Sequence, residues 1–191
     1  MNYTTKETVC FTGHRPKGII PADPYNLKNR PIYQDIVNQI YEELKVMYAA
    51  GYRRYLSGGA QGFDQLAFGA VNRLKKEHPE IQNVIYRPFD GQENKWAEKG
   101  LFSKRENELM NSLADEIHIC DETINPEKDT YWKICRALDH RNQCMVDNSS
   151  AIIGQFEDNS WIDSNTKSGT ANCLRYAKKK NKTIIVKKFY E

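Results

Sequence analysis

Residues 57–64, Ser-Gly-Gly-Ala-Gln-Gly-Phe-Asp, set three glycines and an acid between a short apolar run and a helical pattern. Gly58 and Gly59 can take backbone angles closed to other residues and admit a ligand close to the main chain. A helix starting near Gly62 directs unpaired N–H groups and a positive dipole end at such a ligand, which favours phosphate or carboxylate. The stretch fits neither GxxxxGK[ST] nor GxGxxG. Asp64 suits the first helical turn, yet it would repel an adjacent phosphate. Two readings therefore stand: hydrogen bonding to sugar hydroxyls, with phosphate on the glycine side, or simple stabilisation of the helix start.

Ser168-Gly169-Thr170 repeats the device before the last helical pattern, with a hydroxyl able to cap the helix and a glycine allowing close approach. Thr12-Gly13-His14-Arg15-Pro16 follows the first apolar run. It supplies a group titrating near neutrality and a permanent forked cation. Arg87, just before Pro88, adds a cation. Arg141 falls on the apolar face defined by Ile134, Leu138 and Met145, so it must find a partner, either Asp147 or another carboxylate, or a ligand phosphate.

These residues need a frame. Six short apolar runs, at 8–12, 54–57, 83–89, 116–120, 151–156 and 183–188, alternate with helical patterns at 31–50, 63–76, 101–113, 131–146 and 170–180. That alternation predicts an α/β fold: a Rossmann-like, doubly wound, mostly parallel sheet of six strands with helices on both faces, forming one domain over 1–191. The helix from Pro31 carries Ile32, Ile36, Ile40, Leu44 and Met47 on one face, and Gly51 stands just past its end. Three long segments, 13–30, 121–130 and 157–167, follow predicted strands. They should project from the carboxyl edge of the sheet, where open α/β folds bind ligands. Trp161 is expected to close over such a ligand.

Composition narrows the classes. The 191 residues are 39% hydrophobic and 11% aromatic, enough for one core. With 28 basic and 25 acidic residues, the net charge of +3 gives no basic stripe. A mean hydropathy of −0.75, and no run of about 18 apolar residues, exclude a spanning helix. The opening MNYTTKETV has no apolar signal core, so a cytoplasmic location is expected. Five cysteines form no CxxC pair. His140 and Cys144 have helical spacing, but no third or fourth ligand joins them, so no metal site is expected. No motif calls for a cofactor.

Together, TGHRP, SGGAQGFD, RNQCMVDNSSAIIGQF and SGTANCLRYAKKKNKTIIV resemble the SLOG superfamily, the Rossmann-like group uniting DNA-processing protein A (Smf) and the Lonely Guy (LOG) phosphoribohydrolases. The nearest resemblance is to its YpsA-like branch, and it covers about residues 8–187. It implies a nucleotide or nucleotide-derived ligand held at Ser57, Gly58, Gly59, Ala60, Gly62 and Asp64 and at Ser168, Gly169 and Thr170. Gly13, His14 and Arg15 would stand beside them, with Arg87 and Arg141 as further cations. It also implies a sensing or regulatory role linked to cell division, and is compatible with a homodimer. LOG enzymes carry PGGxGTxxE in their second loop, the glutamate belonging to the site that hydrolyses the N-glycosidic bond. Here Ala171, Asn172 and Cys173 follow Thr170 and that glutamate is missing, which places hydrolysis, with Asp64 as the evident carboxylate, second to binding. A protein-interaction role ranks third, and single-stranded DNA binding, as in the DNA-processing branch, ranks fourth on the nearly balanced charge, although Tyr25, Trp96, Trp132 and Trp161 offer stacking surfaces.

Overall fold

The computed structural model describes residues 3–189. Its frame is a six-stranded, all-parallel sheet of β1 (Thr8–Thr12), β2 (Arg54–Ser57), β3 (Gln82–Arg87), β4 (Glu116–Ile119), β5 (Ala151–Gln155) and β6 (Thr183–Lys187), in the order β4-β3-β2-β1-β5-β6. The helices are α1 (Pro16–Ile19), α2 (Arg30–Ala49), α3 (Phe63–Glu77), α4 (Lys104–Leu113), α5 (Tyr131–Asp147) and α6 (Gly169–Lys179). β1 and β5 are buried along their whole length, as strands covered on both faces must be.

Alternation along the strands divides the core. Val9, Phe11 and Tyr55 pack against Ile40 and Leu44 of α2 and Val71 of α3, while Cys10, Leu56 and Ile152 pack against Met145 of α5 and Leu174 of α6. Phe68, Ile85 and Met110 join α3, β3 and α4 on the first face. The chain winds outward from β1 to β4, then returns through α5 to lay β5 on the other side of β1. The order reverses between β1 and β5, and a crevice opens there at the carboxyl edge.

Local details depart from the sequence reading at helix starts. Ile32 is exposed rather than inward, because the first turn of α2 overhangs the core; Pro31 is its second residue. α4 begins at Lys104, because Ser103 caps it and Phe102 takes a positive φ of 56°, so Leu101 and Phe102 enter the core from a loop. The single turn of α1, set by Pro16, is too short to leave a periodic pattern in the sequence. Among the described residues no helix is long and apolar enough to cross a membrane.

Candidate functional site

The crevice is a cleft of about 490 Å³. The β1 loop contributes Gly13, His14 and Arg15, the β2 loop contributes Ala60, the first turn of α3 contributes Asp64, α5 contributes Arg141, and the start of α6 contributes Ser168, Gly169 and Thr170. A larger groove of about 570 Å³, lined by Thr123, Lys133, Arg136 and His140, shares Asp139 with the cleft but receives nothing from the β1 loop.

Arg141 and Asp64 form the centre. Both are buried, at 5% and 7% exposure, and Arg141 Nη1 stands 3.3 Å from Asp64 Oδ2. The same oxygen accepts the Ala60 N–H at 3.3 Å. Asp147, one of the partners the sequence offers Arg141, instead meets Lys180 and Tyr176 on the surface. Arg141 Nε is buried and has no partner, so the guanidinium keeps an unclaimed donor. Arg15 is solvent-exposed and lines the cleft. Desolvation lowers its pKa first and the charge of Arg141 lowers it further, while Asp64 and Tyr25 act in the opposite direction.

The glycines of the β2 loop have tasks set by packing. A Cβ on Gly58 would lie 1.4 Å from Arg141 Nη1, so Gly58 makes room for the buried ion pair. Gly59, at φ +65°, faces Ile85, Gln92 and Met110, away from the cleft. Gly62, at φ +93°, lies against the backbone of His14 and Arg15, and a Cβ on Gly13 would lie 2.4 Å from the Phe63 ring. Phe63 N–H donates to the His14 carbonyl at 3.1 Å, which locks the two loops together. Ser57 Oγ donates to the Asp64 carbonyl and accepts the Gly59 N–H, so Ser57 is a brace behind the cleft wall.

Ser168 caps α6 through the Ala171 N–H at 3.0 Å. Nothing lies within 4 Å of where a Cβ on Gly169 would stand, so this helix start faces open space. The His14 N–H donates to the Gln155 side chain at 3.0 Å. Burial lowers the imidazole pKa against the opposing pull of Glu157, so the ring is mostly neutral at pH 7.

Arg87 is not brought to the cleft: it pairs with Asp90 and Glu93 at 3.6 and 3.7 Å beyond the β2 loop. Trp161 is buried against the α6 side of the core, and Arg175 pins its loop by donating to the carbonyls of Trp161, Asp163 and Thr166, which departs from the expected lid. Cys135, Leu138, Asp139 and Asn142 also line the cleft, and the sequence reading passes over them as site residues. Their signal is nonetheless present, since spacings of three, one and three residues place them on one side of α5. Among the described residues no group of three His, Cys, Asp or Glu side chains could hold a metal ion.

The cysteines give a chemical check. Burial pushes the Cys173 thiol up to about 12 and the Cys10 thiol higher still, whereas Cys135 stands half-buried on the cleft wall. Iodoacetamide at pH 8 is expected to modify Cys135 well before Cys10 or Cys173 in the folded protein, as read by peptide mass mapping. Modification of Cys10 first would contradict the packing described.

The comparisons with known proteins agree with this architecture. The profile of the YspA SLOG family matches residues 9–191. The SPbeta prophage-derived protein YoqJ of Bacillus subtilis (strain 168) is 38% identical over 131 residues, which cover 66% of this chain and 70% of that protein. A match over nearly the whole sheet and both cleft loops is decisive: the chain belongs to the YspA SLOG family.

Proposed function

We propose that the cleft binds a nucleotide or nucleotide-derived anion and that the protein senses it rather than hydrolyses it. The observation that carries this reading is the convergence, at the β1/β5 crossover, of an open helix start at Gly169 with Arg15 and the buried Arg141 on the same cleft wall. An anionic group would gain the α6 N–H groups and dipole together with two guanidinium groups. Asp64, held by Arg141 and the Ala60 N–H, is oriented to accept from sugar hydroxyls. In this reading the phosphate sits toward Ser168–Thr170, since the face of Gly58 is filled by Arg141 and that of Gly59 points elsewhere.

The second reading, hydrolysis of an N-glycosidic bond, draws on Asp64 as a buried carboxylate on the cleft wall. One experiment separates the two: titration calorimetry against nucleoside monophosphates, cyclic nucleotides, NAD and ADP-ribose, followed by chromatography of each mixture. Binding with the ligand recovered intact supports the sensor. Release of free base, abolished by Asp64→Asn, supports the hydrolase, and no binding across the panel removes both.

A further inference from the structure

Two cysteines and a histidine meet outside the cleft, where the end of β4 approaches α5. Cys120 follows β4 and extends its ladder, its N–H donating to the Arg87 carbonyl at 2.8 Å. Cys144 lies on α5, one residue before buried Met145, and both cysteines pack against the core that Met145, Tyr86 and Leu56 share. His140 stands one helical turn before Cys144, with Nε2 3.5 Å from the Cys144 sulfur. The groove of about 570 Å³ opens beside them, since Asp121 and His140 both line it. Among the described residues no three such side chains converge as metal ligands, and two thiols in contact have a different chemistry open to them.

The Cys120 S–H donates to the Cys144 sulfur. Burial raises both thiols, Cys120 to about 12; the hydrogen bond adds to the rise at Cys120 and offsets it at Cys144. Of the charges nearby, Arg141 lowers Cys120, while Asp121 raises Cys120 and Asp147 raises Cys144. Cys144 is thus the sulfur prepared to ionise first, and His140, with its hydrogen on Nδ1, can take the proton at Nε2. Cys10 and Cys173 are sealed in the core, whereas Cys120 and Cys144 are partly exposed and within reach of a small oxidant. Cys135, the fifth cysteine, meets the Tyr131 hydroxyl instead of a second thiol.

We propose that Cys120 and Cys144 form a peroxide-responsive dithiol, in which Cys144 is oxidised and Cys120 resolves it as an intrachain disulfide. The Cys144 thiolate, its proton passed to His140, attacks one oxygen of hydrogen peroxide. The O–O bond breaks, Cys144 becomes a sulfenic acid, and the departing hydroxide takes the proton from His140 and leaves as water. The Cys120 sulfur then attacks the Cys144 sulfur. The S–O bond breaks, and the hydroxyl leaves with the Cys120 proton as a second water. The two thiols together give up two electrons, and one peroxide is reduced to two waters. Sulfurs already in contact do not need the backbone shift that separated cysteines require. The disulfide ties the end of β4 to α5 within one turn of Arg141 on the cleft wall.

The test treats the reduced full chain with excess hydrogen peroxide, then blocks free thiols with N-ethylmaleimide in denaturant and maps the peptides by mass. Wild type is expected to yield a cross-link between residues 120 and 144, in a proportion independent of protein concentration and reversed by dithiothreitol. Cys120→Ser is expected to leave Cys144 as a sulfenic acid that dimedone traps. His140→Gln is expected to slow cross-linking at least about tenfold with unchanged far-UV circular dichroism. If either variant fails to fold, the wild-type map decides. Recovery of Cys120 and Cys144 as free thiols, irreversible oxidation of Cys144 without a cross-link, or a disulfide joining other cysteines instead overturns the proposal. An unchanged rate in folded His140→Gln overturns the proton transfer to the imidazole.

Discussion

Arg141→Met is expected to destabilise the protein by about 3 kcal/mol or more, because it leaves the Asp64 carboxylate buried without its counter-charge. The pair is largely shielded from water, at 5% and 7% exposure. Of the two groups that meet its Oδ2, Asp64 would retain the Ala60 N–H alone. The double substitution Asp64→Asn with Arg141→Met should recover most of the loss, since both charges are then gone and methionine fills much of the guanidinium volume. Urea unfolding of the two single variants and the double variant reads this directly. A double variant that loses the sum of the single effects would mean that the two residues act independently. The recovered double variant should still bind no nucleotide, which separates the folding role of the pair from its role in the cleft.

Gly62→Ala is expected to be nearly as damaging for a different reason. Gly62 sits at φ +93° and ψ −130°, a backbone state costing a non-glycine residue roughly 1–3 kcal/mol. Its added Cβ would lie 2.5 Å from the His14 carbonyl oxygen, a backbone atom with little freedom to yield. Overpacking of this kind adds about 1–3 kcal/mol. The β1 and β2 loops would have to separate, and the Phe63–His14 hydrogen bond would be lost with them. Thermal unfolding should show a drop of several degrees or more, set beside Gly69→Ala, whose Cβ would meet nothing within 4 Å and which should be neutral or mildly stabilising. Equal melting temperatures for the two variants would contradict the interlocked loops.

Much of this architecture is written locally. The apolar runs that become the six strands and the periodic stripes that become five of the helices obey short-range rules of pleat and helical turn, so the α/β alternation is legible in the amino-acid order alone. The same holds for the position of the cleft, because loops after parallel strands must lie at the carboxyl edge. Partners across the fold are less accessible. The need for Arg141 to find an opposite charge follows from its place on an apolar face, but the choice of Asp64 depends on how α5 crosses β1, which no spacing along the chain encodes. The glycines present the same limit: sequence marks Gly58 as a place for close approach, and only packing reveals that the approaching group is the Arg141 guanidinium. Trp161 escapes a sequence reading because a tryptophan in a long loop looks like surface unless one sees Arg175 fastening that loop to α6.

The central claim is that the cleft takes an anion through Arg15, Arg141 and the start of α6, and Arg15→Gln tests it with the least disturbance to folding because Arg15 is an exposed residue. The measurement is the rise in melting temperature of wild type and Arg15→Gln with AMP and with ADP-ribose at matched concentrations. A ligand at about 100 times its dissociation constant adds about 2.7 kcal/mol to apparent stability. The expected result is a clear rise for wild type with at least one of the two, and a much smaller rise for Arg15→Gln, whose ligand-free melting temperature is unchanged. No rise in wild type with either ligand, or equal rises in the two proteins, would contradict the account.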